Sequence, residues 1–302
     1  MNFDYGNVLT RALQITWKHK AIWGVLILPM LAALLPFVLF FVFFAIVTLN
    51  LQGDISETMS VTLLVSFLLA LTLAVIANIG LGSLSVSAAT LGIIRADREE
   101  GSTKFMDLVK DGIPYFWRVL GVLLVINLTI GLVFTIFFVL SFALILVTMG
   151  MASICLQPIM LLFTPFSFLL VAVIEAAQIA VIADDLDVMG AIKHAIQLVR
   201  THVWKYVVIT LIVYFGSSIV SSFVVTPIML PVFLVPAFLE LGQDVSTQTI
   251  MLISGLFACI FVPLMLLVSS VIGVFMKASL DLTYLRLTAE QRKTENQVIF
   301  SE

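Results

Sequence analysis

The chain has 302 residues, 62% of them hydrophobic and only 11% charged, with a mean hydropathy of +1.20 and a net charge of −3. Soluble domains carry about a quarter charged and about half apolar residues, so this composition excludes a protein whose surface is mostly in water and makes lipid its solvent. No polar stretch is long enough to build a separate soluble domain.

In chain order, uncharged runs cover 21–53, 58–94, 119–174, 206–239 and 245–276. A membrane-spanning helix needs about 20 apolar residues at 1.5 Å each. The third run therefore holds a span, a turn and most of a second span, with the turn at Thr148-Met149-Gly150 through Gln157-Pro158. The fold class expected is all-α, a polytopic membrane helix bundle with six spans at roughly 22–49, 61–94, 115–147, 158–183, 203–238 and 248–285. About twenty mixed residues precede the first run, which exceeds the roughly 7–15 residues of a signal-peptide core. That run reads as a retained span.

Six spans put both termini on one side, with the segments 1–20, 95–118, 184–205 and 286–302. All 15 Lys and Arg fall in these segments or, for Lys277, nearer to them. The opposite loops hold none, but do hold Asp54, Glu57, Glu240 and Asp244. The positive-inside rule places both termini in the cytoplasm of a cell-membrane protein.

A short amphipathic stretch precedes a span three times. In 7–18, Val8, Leu9, Ala12, Leu13 and Trp17 oppose Arg11, Gln14 and Lys18. In 103–111, Phe105, Met106, Leu108 and Val109 oppose Lys104, Asp107 and Lys110. In 187–200, Asp187 is placed to cap a helix whose Val188, Ala191, Ile192, Ala195 and Val199 oppose Lys193, His194, Gln197 and Arg200. Helices of this kind lie in the headgroup plane with bases toward anionic lipid, or else cover the ends of spans. The candidate headgroup-binding residues are Arg11, Lys18, Lys104, Lys110, Lys193 and Arg200.

Trp23, Trp117 and Trp204 stand at the mouths of the following spans, and Ala12-Leu13-Gln14-Ile15 parallels Ala195-Ile196-Gln197-Leu198. These matches point to an internal repeat of about 90 residues, as units 1–94, 95–185 and 186–288 within one membrane domain, followed by a short tail, 289–302. Each unit would be one interfacial helix and two spans in parallel orientation.

The stretch from Asp187 to Tyr206, an acidic turn, an Ala-Ile-basic helix and then Trp204-Lys205 opening a span, resembles a segment of uncharacterised bacterial multi-span proteins. These include the group named for the membrane domain of glycerophosphoryl diester phosphodiesterases. Asp97 through Arg118 and Asn7 through Trp23 are looser versions. The resemblance implies architecture, not activity: it brings no established site residues.

Ionisable side chains deep in a span are costly, and each needs a partner or water. Glu175 lies nine residues before Asp184, Lys277 nine before Arg286, Asn127 nine after Arg118 and Tyr214 nine after Lys205. At 1.5 Å per residue each is about 13 Å from the charged end. The expectation is one intramembrane polar layer of Glu175, Lys277, Asn127, Gln178, Tyr214 and Asp281, with Glu175 and Lys277 paired between helices and Asp281 a competing partner four residues on. Such a layer serves either as packing glue or as a substrate or proton site in a cavity.

The remaining signals are weaker. Pro29, Pro36, Pro165 and Pro263 fall inside spans and Pro227, Pro231 and Pro236 crowd the fifth. They fit either broken, cavity-lining helices or the ordinary tolerance of membrane helices for proline. Gly80-Leu-Gly82 suggests close helix packing. Cys155 and Cys259 read as small buried hydrophobes. His19, His194 and His202 lack metal-ligand spacing and read as interfacial polar groups. No nucleotide-binding loop, nucleophile elbow or zinc-protease motif occurs. The sequence therefore points first to a non-enzymatic membrane scaffold or accessory component, with no cofactor and no metal. Its expected partners are membrane lipids and a membrane protein, and not nucleic acid. The alternative is a transporter or permease for a lipid or small amphiphile using Glu175 and Lys277.

Overall fold

The computed structural model describes residues 3–50, 57–100, 104–241 and 247–299, apart from some side chains within 37–63, 155–164, 227–259 and 294–299. Asp54 and Asp244 lie outside the described residues, as do the side chains of Glu57, Glu240, Cys155 and Cys259. Among the described residues the chain is helical with no strand: α1 (Tyr5–Lys18), α2 (Ala21–Asn50), α3 (Glu57–Arg98), α4 (Phe105–Gly112), a 3-10 turn (Ile113–Tyr115), α5 (Phe116–Val147), α6 (Ala152–Ala183), α7 (Val188–Thr201), α8 (Val203–Leu241) and α9 (Thr247–Ile299). Six of these helices are long and apolar enough to cross a membrane. The order short helix, span, span occurs three times.

Two boundaries differ from the expectation. The turn between α5 and α6 is confined to 148–151, where Met149 and Gly150 adopt positive φ and Gly150 N–H donates to the Ile145 carbonyl. Gln157 and Pro158 therefore lie inside α6. Residues 289–299, expected as a tail, continue α9 to 53 residues. At 1.5 Å per residue α9 is about 80 Å long and α3, with 42 residues, about 63 Å. Both exceed a hydrocarbon core of about 30 Å.

The charged ends of both helices meet the basic segments. There Asp97, near the end of α3, binds Arg11 of α1 and Arg286 of α9. Arg95 pairs with Asp111, Lys205 with Glu290, Arg118 with Asp185, and Arg292 with Asp184. These pairs join the four basic segments of the sequence at one end of the bundle. Buried residues also concentrate toward that end, in two apolar clusters, one around α5, α6 and α7 and one around α1, α2, α3, α8 and α9. The far halves of α3 and α5 carry exposed apolar side chains such as Leu69, Ile76, Val139 and Leu146, as a lipid-facing surface requires.

Between membrane helices the hydrophobic effect gives little attraction, so small side chains and interhelical hydrogen bonds do the work. Pro29 has no N–H and leaves the Val25 carbonyl without its donor one turn on. Ser85 of α3 supplies that donor, its Oγ 2.6 Å from the Val25 oxygen. Asn78 Nδ2 donates to the Pro29 carbonyl at 3.0 Å, and Ser270 of α9 to the Trp23 carbonyl at 2.6 Å. The proline of α2 is thus matched by a specific partner on α3. Replacing Ser85 with Ala is expected to cost about 0.6–1.7 kcal/mol, the range of interhelical bonds in membranes. The cost should shrink in a Pro29→Ala background, where the alanine N–H restores the internal donor. A double-mutant cycle on unfolding in detergent tests this, and additive costs would refute it. Gly80 and Gly82, expected at a close helix contact, face open space instead.

Candidate functional site

The polar stripe of α9 builds the site. Ser270, Val274, Lys277, Asp281, Tyr284 and Thr288 alternate steps of four and three residues, which keeps them on one helix face, and all six are buried. Glu175 and Gln178, three apart on α6, share a face turned toward it. Lys277 Nζ donates to Glu175 Oε2 at 2.8 Å and to Gln178 Oε1 at 3.3 Å, and lies 3.8 Å from Asp281 Oδ1. The last distance is an ion pair too long for a hydrogen bond. The side chain of Lys277 is 7% exposed, that of Asp281 0% and that of Glu175 23%. One ammonium therefore faces two carboxylates in a nearly sealed setting, with Glu175 at its rim.

From α8, Tyr214 lies within electrostatic reach of Glu175 and Lys277, its ring tilted against Phe168 at 6.4 Å. Of the six residues expected in one layer, five converge. Asn127 does not: it is exposed on α5 and its Nδ2 donates to the Leu123 carbonyl of its own helix at 2.8 Å. Its depth matched but its direction around α5 did not. It lines a cavity of about 350 Å³ with Pro29, Asn78 and Ser85.

Sequence reasoning missed three hydroxyls. Thr90 of α3 neighbours the Asp281 carboxylate, and Tyr206 of α8 is within its electrostatic reach, with Thr210 one turn beyond on α8. Among the described residues the Tyr206 and Thr210 oxygens are buried without a hydrogen-bond partner, while the Thr90 hydroxyl stands close enough to Asp281 to act on its carboxylate as a donor. The signal was present: Tyr206, Thr210, Tyr214 and Ser217 recur at steps of four, four and three along one face of α8.

No family model, curated protein or solved structure matches the chain.

The three short helices form a second candidate surface. Each buries one face on the bundle: Val8, Ala12, Ile15 and Thr16 in α1, Leu108 and Gly112 in α4, and Ala191, Ile192, Ala195, Leu198 and Val199 in α7. In α1 this corrects the expected face, because Leu13 and Trp17 are exposed. A second apolar face thus points outward, Leu13 and Trp17 on α1, Met106 on α4, and Met189 and Ile196 on α7, and exposed side chains continue it in Ile113 of the 3-10 turn, Trp117 of α5 and Trp204 of α8, the last 80% exposed. Trp23 is tucked in, donating its Nε1 hydrogen to the Thr16 carbonyl at 2.8 Å. Asp187 opens α7 as its cap residue without a side-chain cap bond.

Among the expected headgroup ligands, Lys18, Lys110, Lys193 and Arg200 are exposed, and so is Lys104, which has an interaction within the chain. Arg11 is committed elsewhere. It binds Asp97, Glu99 and the Ala96 and Asp97 carbonyls and so pins α1 to the end of α3. Beside it a cavity of about 500 Å³ is lined by Leu13, Gln14, Trp17, Lys18 and His19. Burial, then the charges of Lys18 and Arg11, holds His19 below the usual imidazole value. A folded-state value below the unfolded one means that His19 favours the folded chain above pH about 6.5 and loses that contribution as pH falls.

Proposed function

We propose that this chain is a non-enzymatic component of a cell membrane, both termini cytoplasmic, that organises anionic phospholipid around its charged end and so supports a membrane partner or the local lipid environment. The observation that carries this reading is the doubly faced character of α1, α4 and α7. One face docks on the bundle; the other carries Trp17 and Lys18 on α1, Lys110 on α4, and Lys193 and Arg200 on α7, with Trp117 and Trp204 exposed in the first turns of α5 and α8 that follow. Indole rings favour the membrane–water interface, and bases beside them attract anionic headgroups at about 1 kcal/mol each. The nearly sealed charge cluster fits the same reading, because a polar layer closed to water can hold helices together without handling substrate.

The test is reconstitution in vesicles of phosphatidylcholine with and without phosphatidylglycerol, using lipids brominated near the headgroup. Strong quenching of tryptophan fluorescence, and retention of phosphatidylglycerol that a Lys18→Glu/Lys193→Glu/Arg200→Glu variant loses, are expected. Unquenched tryptophans, or equal lipid retention by the variant, would reject the proposal. The orientation has its own check: cysteines placed at Arg98 and Arg200 should be labelled from the same, cytoplasmic, face.

One observation favours a second reading, transport of a lipid or small amphiphile. Glu175 keeps part of its side chain exposed at the rim of the cluster. Under that reading Glu175→Gln abolishes substrate movement while leaving lipid retention intact.

A further inference from the structure

The charge cluster and the charged end of the bundle are joined by more than apolar packing. On the stripe of α9, one turn from Asp281 toward that end, Tyr284 donates its hydroxyl proton to Asp184, which also binds Arg292. Tyr206 stands within electrostatic reach of both Asp281 and Tyr284. The His194 ring lies edge-on to Tyr284 at 6.0 Å, and among the described residues the Nε2 of His194 and the Tyr206 hydroxyl are buried without a hydrogen-bond partner. Native proteins rarely leave buried polar atoms unmatched, and each such atom calls for an explanation. Here they lie between the Asp184 carboxylate, 15% exposed at the charged end, and the fully buried Asp281 carboxylate.

Charge balance says what a track between the two carboxylates would carry. With both acids ionised, Glu175, Asp281 and Lys277 sum to one uncompensated negative charge in surroundings where such a charge is expensive. Lys277 is committed to Glu175 at 2.8 Å and reaches Asp281 only at 3.8 Å. A metal ion would have to sit beside the ammonium. A proton would not, and hydroxyl and imidazole groups pass protons by accepting one and releasing their own.

We propose that the Glu175–Asp281 acid pair, sharing Lys277, is an exchangeable proton-binding site supplied from the charged end of the bundle along Asp184, Tyr284 and Tyr206. The step is a protonation: a solvent proton enters at Asp184, Tyr284 accepts one proton and gives up its own, the Tyr206 hydroxyl, which bonds to neither neighbour at rest, swings to close the gap to the pair, and a carboxylate oxygen gains an O–H bond with no change of oxidation state. The charged and titratable groups facing the pair are Lys277 and Tyr284 of α9, Tyr206 and Tyr214 of α8, and beyond them Asp184 of α6, His194 of α7 and Arg292; α3 contributes the neutral Thr90. This site is independent of lipid retention, so either proposal can fail alone.

Infrared difference spectra of the full chain in lipid nanodiscs, taken between two pH values in H2O and D2O, test it. The wild type is expected to show a carboxylic-acid C=O band that titrates and shifts in D2O, and that disappears in Asp281→Asn or in Glu175→Gln. Tyr284→Phe, which keeps the ring, is expected to slow the deuterium exchange of that band by roughly tenfold or more, about 1.4 kcal/mol of barrier. No such band in the wild type overturns the proposal, as does a band kept by both variants. If Asp281→Asn does not fold, the wild-type and Glu175→Gln spectra decide. Loss of the band when sodium chloride replaces choline chloride at constant pH would assign the site to a metal cation and overturn it too. Unchanged exchange in Tyr284→Phe would remove the track.

Discussion

Lys277→Met is expected to destabilise the folded chain by about 3–5 kcal/mol, the cost of removing one member of a buried ion pair. Methionine fills the aliphatic volume of lysine, so little of the loss comes from a cavity. What is lost is the only cation within hydrogen-bonding distance of Glu175 and Gln178 among the described contacts, and Asp281 loses its ion pair as well. The double variant Lys277→Met/Glu175→Gln should recover only part of the deficit, because Asp281 stays buried with its ion pair gone; adding Asp281→Asn, which leaves no charge in the cluster, should recover much of the rest. A neutral hydrogen-bonded or apolar replacement of a buried pair is often nearly neutral in stability. Unfolding monitored by tryptophan fluorescence in mild detergent reads all three. A single-variant cost under about 1 kcal/mol would mean that water reaches the cluster freely and that the burial described above does not hold in the membrane protein.

The sequence made the number of helices and their common charged end legible for a physical reason. Twenty or more uncharged residues in a row have few alternatives to a spanning helix, and ion pairs such as Arg11–Asp97–Arg286 can form only if their segments share an end. Counting residues from that end also placed Glu175 and Lys277 at one depth, and they meet. Depth, however, is one coordinate of two. Asn127 has the right height and the wrong direction around α5, which no single-helix count resolves. Leu13 and Trp17 fail similarly: α1 has two apolar faces, and periodicity cannot say which one meets protein and which is exposed. Ser85 shows a third limit. Its value depends on a carbonyl that a proline on another helix leaves free, a pairing across 60 residues that only the packed structure reveals. The resemblance of the stretch from Asp187 to Tyr206 to other multi-span proteins supplied no site residue, and the ionisable side chains had to be read one by one.

The second large effect concerns how the middle short helix is held. Gly112 ends α4, and a Cβ added there would stand 3.0 Å from the Ala88 nitrogen, 3.1 Å from its Cα and 3.2 Å from its Cβ. Two of these atoms are backbone of α3, a helix also tied to α2 by Ser85 and Asn78, so moving α3 away from α4 would strain those bonds. The alternative is for α4 itself to lift. α4 has eight residues and buries only Leu108 and Gly112, so its grip is small and a shift of a few tenths of an ångström is a large fraction of it. Gly112→Ala is expected to cost about 1–3 kcal/mol, the usual range for an overpacked contact. Gly112→Leu should detach α4 and break the Arg95–Asp111 pair beside it. Trypsin then cuts at Lys104 or Lys110 in the variant under conditions that spare the wild type. Gly131→Ala supplies the control: no atom lies within 4 Å of a Cβ at that position, and mid-helix alanine is favoured over glycine by about 0.5–1 kcal/mol, so stability should hold or rise. Ala88→Gly relieves only one of the three contacts at Gly112 and is expected to rescue Gly112→Ala only in part. Equal effects of Gly112→Ala and Gly131→Ala would show that α4 is not seated on α3 and that its outward Met106 has no fixed orientation toward lipid.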